Sequence, residues 1–217
     1  MRASPGPCVT SATIPGVVGL QKATPWSTWH PSGNERPARR KATRPAWDTG
    51  FAATNDDEFT CDAMAVRLHA LETTGLGWCA GYSEDLHPDG TTSLWRCPTP
   101  PGRHEAGDVS TYWKNPADTI PLGPTTILAR TDLVRAAPMG GLVQGEDYMA
   151  ALGVTCLAPG ILLPLPVYRY RKHPGQMTRQ DAYDALEASA RRHAWNFGRS
   201  LRTALRGLEP SDRGEAP

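Results

Sequence analysis

From Thr49 onward the chain alternates short apolar runs of strand length with stripes of helical spacing, and no other feature constrains its fold so closely. Strand and helix signals taken in turn imply an α/β domain, in which helices cover the faces of a sheet. "GFAAT" at 50–54 predicts a short buried strand. Thr60 then reads as a helix N-cap, Met64, Leu68 and Leu71 as the apolar stripe, and Gly75 as the stop. "LGWCAGYSEDL" and "TSLWRC", joined by the turn composition "HPDG", predict a hairpin. "TTILART" reads as a strand, "TDLVRAA" as a short helix capped by Thr131, and "GILLPLPVYRYRK" as a strand whose prolines suit an edge or an irregular path. Between them, the Pro- and Gly-dense stretch at 98–124 has the composition of a long loop, a functional lid or a disordered segment.

The flanks differ. Residues 1–48 are rich in Pro, Gly, Ser and Thr without periodicity, which predicts an irregular segment. Within it "NERPARRKATRP" carries Arg39, Arg40 and Lys41, cations suited to solvent or to phosphate. Residues 179–217 predict a C-terminal helix and a loose tail, with Tyr183, Leu186, Ala190, Phe197, Leu201, Leu205 and Leu208 on one face and arginines on the other.

A length of 217 residues allows one domain with a proper core at 49–178. With 23 basic against 22 acidic residues the net charge is +1, so no global field calls for nucleic acid, and any binding is local. Five cysteines, odd in number and without a CxxC pair, predict reduced and mostly buried thiols. No apolar run approaches the ~20 residues of a spanning helix, and the N-terminus has no continuous apolar region of a signal peptide. A cytoplasmic location is the resulting expectation.

Two acid clusters stand where a strand or turn meets a helix start: "NDDE" at 55–58 and "GEDY" at 145–148. Acids also suit a helix N-terminus as such. The order strand, acids, helix, hairpin, strand, Gly-Gly, acids, helix resembles the family 2 glycosyltransferases of the GT-A fold, across roughly residues 36–178 and most closely from Asn55 onward. The resemblance implies a GT-A-like mixed sheet flanked by helices, shortened in its N-terminal, nucleotide-binding half. It implies a sugar transferred from a nucleotide-diphosphate donor to an acceptor hydroxyl, with inversion.

On the same resemblance, Asp56 and Asp57 would hold Mg²⁺ or Mn²⁺ against the donor diphosphate, as hard cations prefer carboxylate and phosphate oxygens. Asp147 would be the general base, with Glu146 helping to place the acceptor. Arg171 and His173, with Arg39, would reach the donor phosphates, and Gly140, Gly141 and Trp113 would border the acceptor. A chain with only about fifty residues before "NDDE" also suits a second reading, a catalytically inactive GT-A-like binding or scaffold protein. A metal-dependent hydrolase using the same acids is a third.

Overall fold

The two longest apolar strand signals pair with each other and form the middle of the sheet. The structure, a computed structural model, describes residues 57–137, 144–176 and 181–207, all within one unit of the chain, Ala46–Pro217. In chain order the elements are β1 (Glu58–Phe59), α1 (Ala63–Thr74), β2 (Trp78–Leu86), β3 (Thr92–Trp95), β4 (Gly102–His104), β5 (Leu128–Ala129), α2 (Thr131–Ala136), α3 (Glu146–Leu157), β6 (Gly160–Arg171) and α4 (Asp181–Gly207). Short 3-10 turns lie at Val109–Tyr112 and Pro124–Thr126. β6 runs parallel to β2, while β1 and β4 flank β6 and β3 and β5 flank β2, all antiparallel. The protein is therefore mixed α/β, with an open mixed sheet flanked by helices.

β6 is central, not at an edge, and its prolines accompany the other alternative, an irregular path. β4 pairs only with Gly160–Leu162 and β1 only with Tyr168 and Arg169, so Pro164 and Pro166 fall in the gap between these two strands. On the other side the β2 ladder shifts register around Tyr82. Neither proline thus breaks a regular ladder, where its missing N–H would be costly. Gly81 makes the shift possible: a Cβ there would lie 2.7 Å from the Leu165 carbonyl. Thr60 closes the gap, its amide donating to Val167 O and its hydroxyl to Pro166 O. Engaged in this way, Thr60 is not the helix cap. Asp62 holds that position without a side-chain cap bond, and Gly75 ends the helix in the left-handed conformation.

The buried face of α1 is Ala63, Arg67, Ala70 and Leu71, so the expected stripe is displaced: Leu71 is buried, whereas Met64 is 38% exposed. Arg67 takes the inner position because its guanidinium finds partners there, donating from Nε to Ala63 O and from Nη1 to Thr126 O, both at 2.8 Å. The β2–β3 hairpin forms as its sequence predicts, with Gly90 at φ +83 in the turn. "TTILART" contributes only the two residues of β5, since Pro124–Thr126 is already a 3-10 turn and α2 begins at Thr131. Arg130, not Thr131, is the N-cap residue of α2.

Trp78, Ala80, Ile127, Val154 and Leu162 belong to the main core between sheet and helices. A second cluster of Trp113, Met149, Leu152 and Ala194 joins α3 to α4. Of the predicted apolar face Ala190 is buried and Phe197 packs against this cluster, but Leu186 is 45% exposed, and the small residues Ala194 and Gly198 are buried instead. Small side chains let the helix axes approach; a Cβ on Gly198 would come 3.1 Å from Leu152. Cys79, Cys97 and Cys156 are buried free thiols and Cys61 is an exposed one. Among the described residues no helix is long and apolar enough to cross a membrane. The "GFAAT" strand, residues 1–48, Cys8, Arg39, Asp56, Gly140 and Gly141 lie outside the described residues.

Candidate functional site

The acid clusters are held by different elements. "GEDY" opens α3, where Gly145 adopts φ +77 and lies so close to α4 that a Cβ would be 2.9 Å from that of Ala190. Glu146 and Asp147 then occupy the first turn, where negative charge meets the positive end of the helix dipole. The Tyr148 amide donates to Asp147 Oδ1 at 2.9 Å. Burial raises the pKa of the Asp147 carboxyl above its ordinary value; the Tyr148 hydrogen bond opposes this, and the charges of Glu146 and Glu187 reinforce it.

α4 supplies the opposite wall. The Glu187 carboxylate accepts from Gln144 Nε2 at 2.9 Å, from the Tyr148 hydroxyl at 3.3 Å and from Arg191 Nη1 at 3.5 Å. Arg191 in turn donates from Nε to Pro116 O at 2.8 Å and from Nη2 to Asp118 O, which ties the long loop to the helix. Burial also raises the Tyr148 phenol, with the charges of Tyr183, Glu187 and Asp147 adding to it. The Asp147 carboxyl and the Tyr148 phenol thus stay protonated to higher pH than they would in solvent.

Trp113 is 2% exposed and packs with Met149, Leu152 and Ala194. The Arg191 guanidinium lies 5.6 Å from its ring centroid, and its carbonyl accepts from Trp195 Nε1 at 2.8 Å. Its own Nε1 is buried without a hydrogen-bond partner among the described residues. Beside it lies an apolar indentation of about 10 Å³, bordered by Val109, Ile120, Leu122 and Tyr148. That is roughly the room one water needs. Trp113 therefore presents no open face to a sugar and acts as a wall beneath the loop.

The second cluster meets the end of β6. Asp57 accepts from the Tyr168 hydroxyl through Oδ2 at 2.5 Å and from the Arg171 amide through Oδ1 at 2.8 Å. Arg169, in register with both Glu84 and Glu58, is ion-paired to each at 3.1 and 3.3 Å, and Arg171 reaches Glu58 at 3.5 Å. Lys172 pairs with Asp85. The chain then turns back on itself: buried Gln176 donates its side-chain amide to Arg171 O at 2.7 Å and its backbone amide to His173 O. Asp57, Arg171 and His173, selected from the sequence, therefore come to one end of the sheet.

A divalent cation needs several oxygen donors with lone pairs to give. Both Asp57 oxygens already accept a hydrogen bond, and Glu58 is matched to two guanidinium groups. Among the described residues no three His, Cys, Asp or Glu side chains come together as a metal would require. The described donors do not by themselves compose a cation site.

Glu187, Gln144 and Tyr148 are site residues that sequence reasoning did not select. A signal for Glu187 was present: it lies four residues from Tyr183 and three from Ala190, a carboxylate on the face that docks. No family model matches this chain, and no curated protein matches it either.

Proposed function

We propose that the chain transfers a sugar from a nucleotide-diphosphate donor to an acceptor hydroxyl, as a GT-A-like family 2 glycosyltransferase, with Asp147 as the general base. The observation that carries this reading is the Asp147 carboxyl, placed at a helix start by Gly145 and raised by burial beside Glu146 and Glu187. Perturbed carboxyls at a rigid turn mark proton-transfer sites, and a base of this kind contributes about 10²- to 10⁴-fold to rate. In the step, the acceptor oxygen forms its bond to the anomeric carbon, the bond to the diphosphate breaks, and Asp147 takes the hydroxyl proton. Glu146 helps to place the acceptor, with Gly140 and Gly141 alongside. Arg171, His173 and Arg39 meet the leaving diphosphate.

The reading assigns Mg²⁺ or Mn²⁺ to Asp56 and Asp57, and its measurement is metal-dependent binding of nucleotide diphosphates by calorimetry, which Asp57→Ala should remove. Asp147→Asn should abolish turnover of a nucleotide-sugar panel and leave nucleotide binding intact. One observation favours the alternative, a non-catalytic GT-A-like binding or scaffold protein: Asp57 and Glu58 are already used to fasten β1 to β6. Wild-type protein without turnover and without nucleotide affinity would decide for that alternative.

A further inference from the structure

We infer that the outer face of α4 is a docking surface for an anionic phospholipid bilayer. After Glu187, over residues 188–207, this helix contains five arginines and His193 but no carboxylate. Its inner side is occupied by Ala190, Ala194 and Gly198, which pack toward α3. Arg192, Arg199 and Arg206 follow at intervals of seven residues on the opposite side, all exposed. At 1.5 Å rise per residue they form a straight row with about 10 Å between successive guanidinium origins. Among the described residues none of the three has a carboxylate partner, whereas the inner Arg191 is paired with Glu187. Between them stand the small neutral side chains Asn196 and Thr203, also exposed.

The charge is therefore local. The whole chain is nearly neutral at +1, and this row is cationic with no carboxylate paired to it among the described residues. Guanidinium groups bind phosphate oxygens in pairs of hydrogen bonds, so phosphate is the fitting anion. The shape selects among phosphate bearers. The row lies on the exposed outer face of a helix, and among the described residues no groove runs along it to track a single strand. Among the described residues the aromatic beside it, Trp195, is engaged, covered by Arg199 at 4.6 Å and bonded through Nε1 to the Trp113 carbonyl, so it is no platform for stacking bases. A flat array of lipid headgroups meets a straight row of cations without either requirement. Since the apolar face of α4 is docked on the protein, the attachment is electrostatic and superficial, unlike that of a helix that buries its apolar side in lipid. This inference is independent of the sugar-transfer reading.

The experiment is co-sedimentation of the full chain with phosphatidylcholine vesicles and with vesicles in which about a third of the lipid is phosphatidylglycerol, at low salt and again at about 0.5 M salt, where screening is strong. Anionic vesicles should bind on the order of 10²-fold more tightly than neutral ones, as expected of three cations near such a surface. High salt should abolish the difference. The triple variant Arg192→Gln, Arg199→Gln, Arg206→Gln keeps good helix formers at exposed positions and should lose it. The variant Arg96→Gln, Arg103→Gln, Arg135→Gln has the same net charge and should retain it. Equal binding to both vesicle types, equal loss in the two triple variants, or tighter row-dependent binding to single-stranded DNA than to anionic vesicles would each overturn the inference.

Discussion

Arg67 offers a direct test of how α1 is held to the sheet. Its side chain is 1% exposed, and no carboxylate among the described residues pairs with it. Its partners are the Ala63 and Thr126 carbonyls at 2.8 Å, the Met64 sulfur at 3.4 Å and the Phe59 ring at 5.2 Å. Cys79 is not a counter-ion, since burial pushes that thiol up to about 12 and it stays neutral. Burial likewise lowers the guanidinium from 12.5 to about 10, a penalty on the order of 3 kcal/mol for keeping the charge inside. Two charge-assisted hydrogen bonds at about 1.5–3 kcal/mol each oppose it, with a smaller contribution from the ring. The cation itself is therefore near balance, and what stabilises is the packing of the long stem and the filling of the two carbonyls.

Arg67→Met keeps the stem and removes the charge. It should cost about 1–2 kcal/mol, chiefly for the Thr126 carbonyl left unfilled. Arg67→Ala also opens a cavity and should cost about 2–5 kcal/mol. Urea denaturation followed by circular dichroism measures both. If the methionine variant proved as unstable as the alanine variant, the charge would be the stabilising element and the reasoning above would be refuted. If neither shifted the midpoint, Arg67 would not be the clamp described here.

Three further outcomes are expected. Gly160→Ala places a Cβ 2.0 Å from the Trp78 indole in the central strand pair, so a loss of about 3 kcal/mol or more is expected in the same denaturation assay; an unchanged midpoint contradicts the register. Because the folded-state pKa of Asp147 is raised, its stabilising contribution is complete below the unfolded value and is lost as pH rises through the folded one. Asp147→Asn should therefore gain Tm over wild type between about pH 4 and neutrality, and a difference constant with pH would count against a raised carboxyl. Of the four described thiols only Cys61 is exposed, so Ellman's reagent should modify it in the native protein and reach Cys79, Cys97 and Cys156 only after unfolding. Early modification of Cys79 would place β2 outside the core.

The sequence alone determined which segments become strands and helices wherever the signal was local. Apolar runs around a Pro-Asp-Gly turn made the hairpin, Gly75 stopped α1, and Gly145 with two acids started α3. Each of these depends on neighbours a few residues away, through backbone conformation and side-chain period. Local patterning also placed Asp147 at a helix start, whereas Glu58, expected between a strand and a helix, lies within β1 itself.

What only the tertiary structure decided is which partners those residues meet. Proline content left an edge or an irregular path open for β6, and the gap between β4 and β1 with the register shift against β2 settled it as an irregular central strand. Periodicity put Met64 and Leu68 on the buried face of α1, but the Thr126 carbonyl, supplied from 59 residues away, together with the Ala63 carbonyl of the same helix, drew Arg67 there instead. Glu187, more than forty residues from Gln144, reaches Gln144 and Tyr148 only because Ala190 and Gly145 are small enough for α4 to touch the start of α3. Asp57 likewise bonds Tyr168 and the Arg171 amide, more than a hundred residues away. Long-range hydrogen bonds and close helix approaches depend on distances between segments, and a one-dimensional pattern carries no such distances.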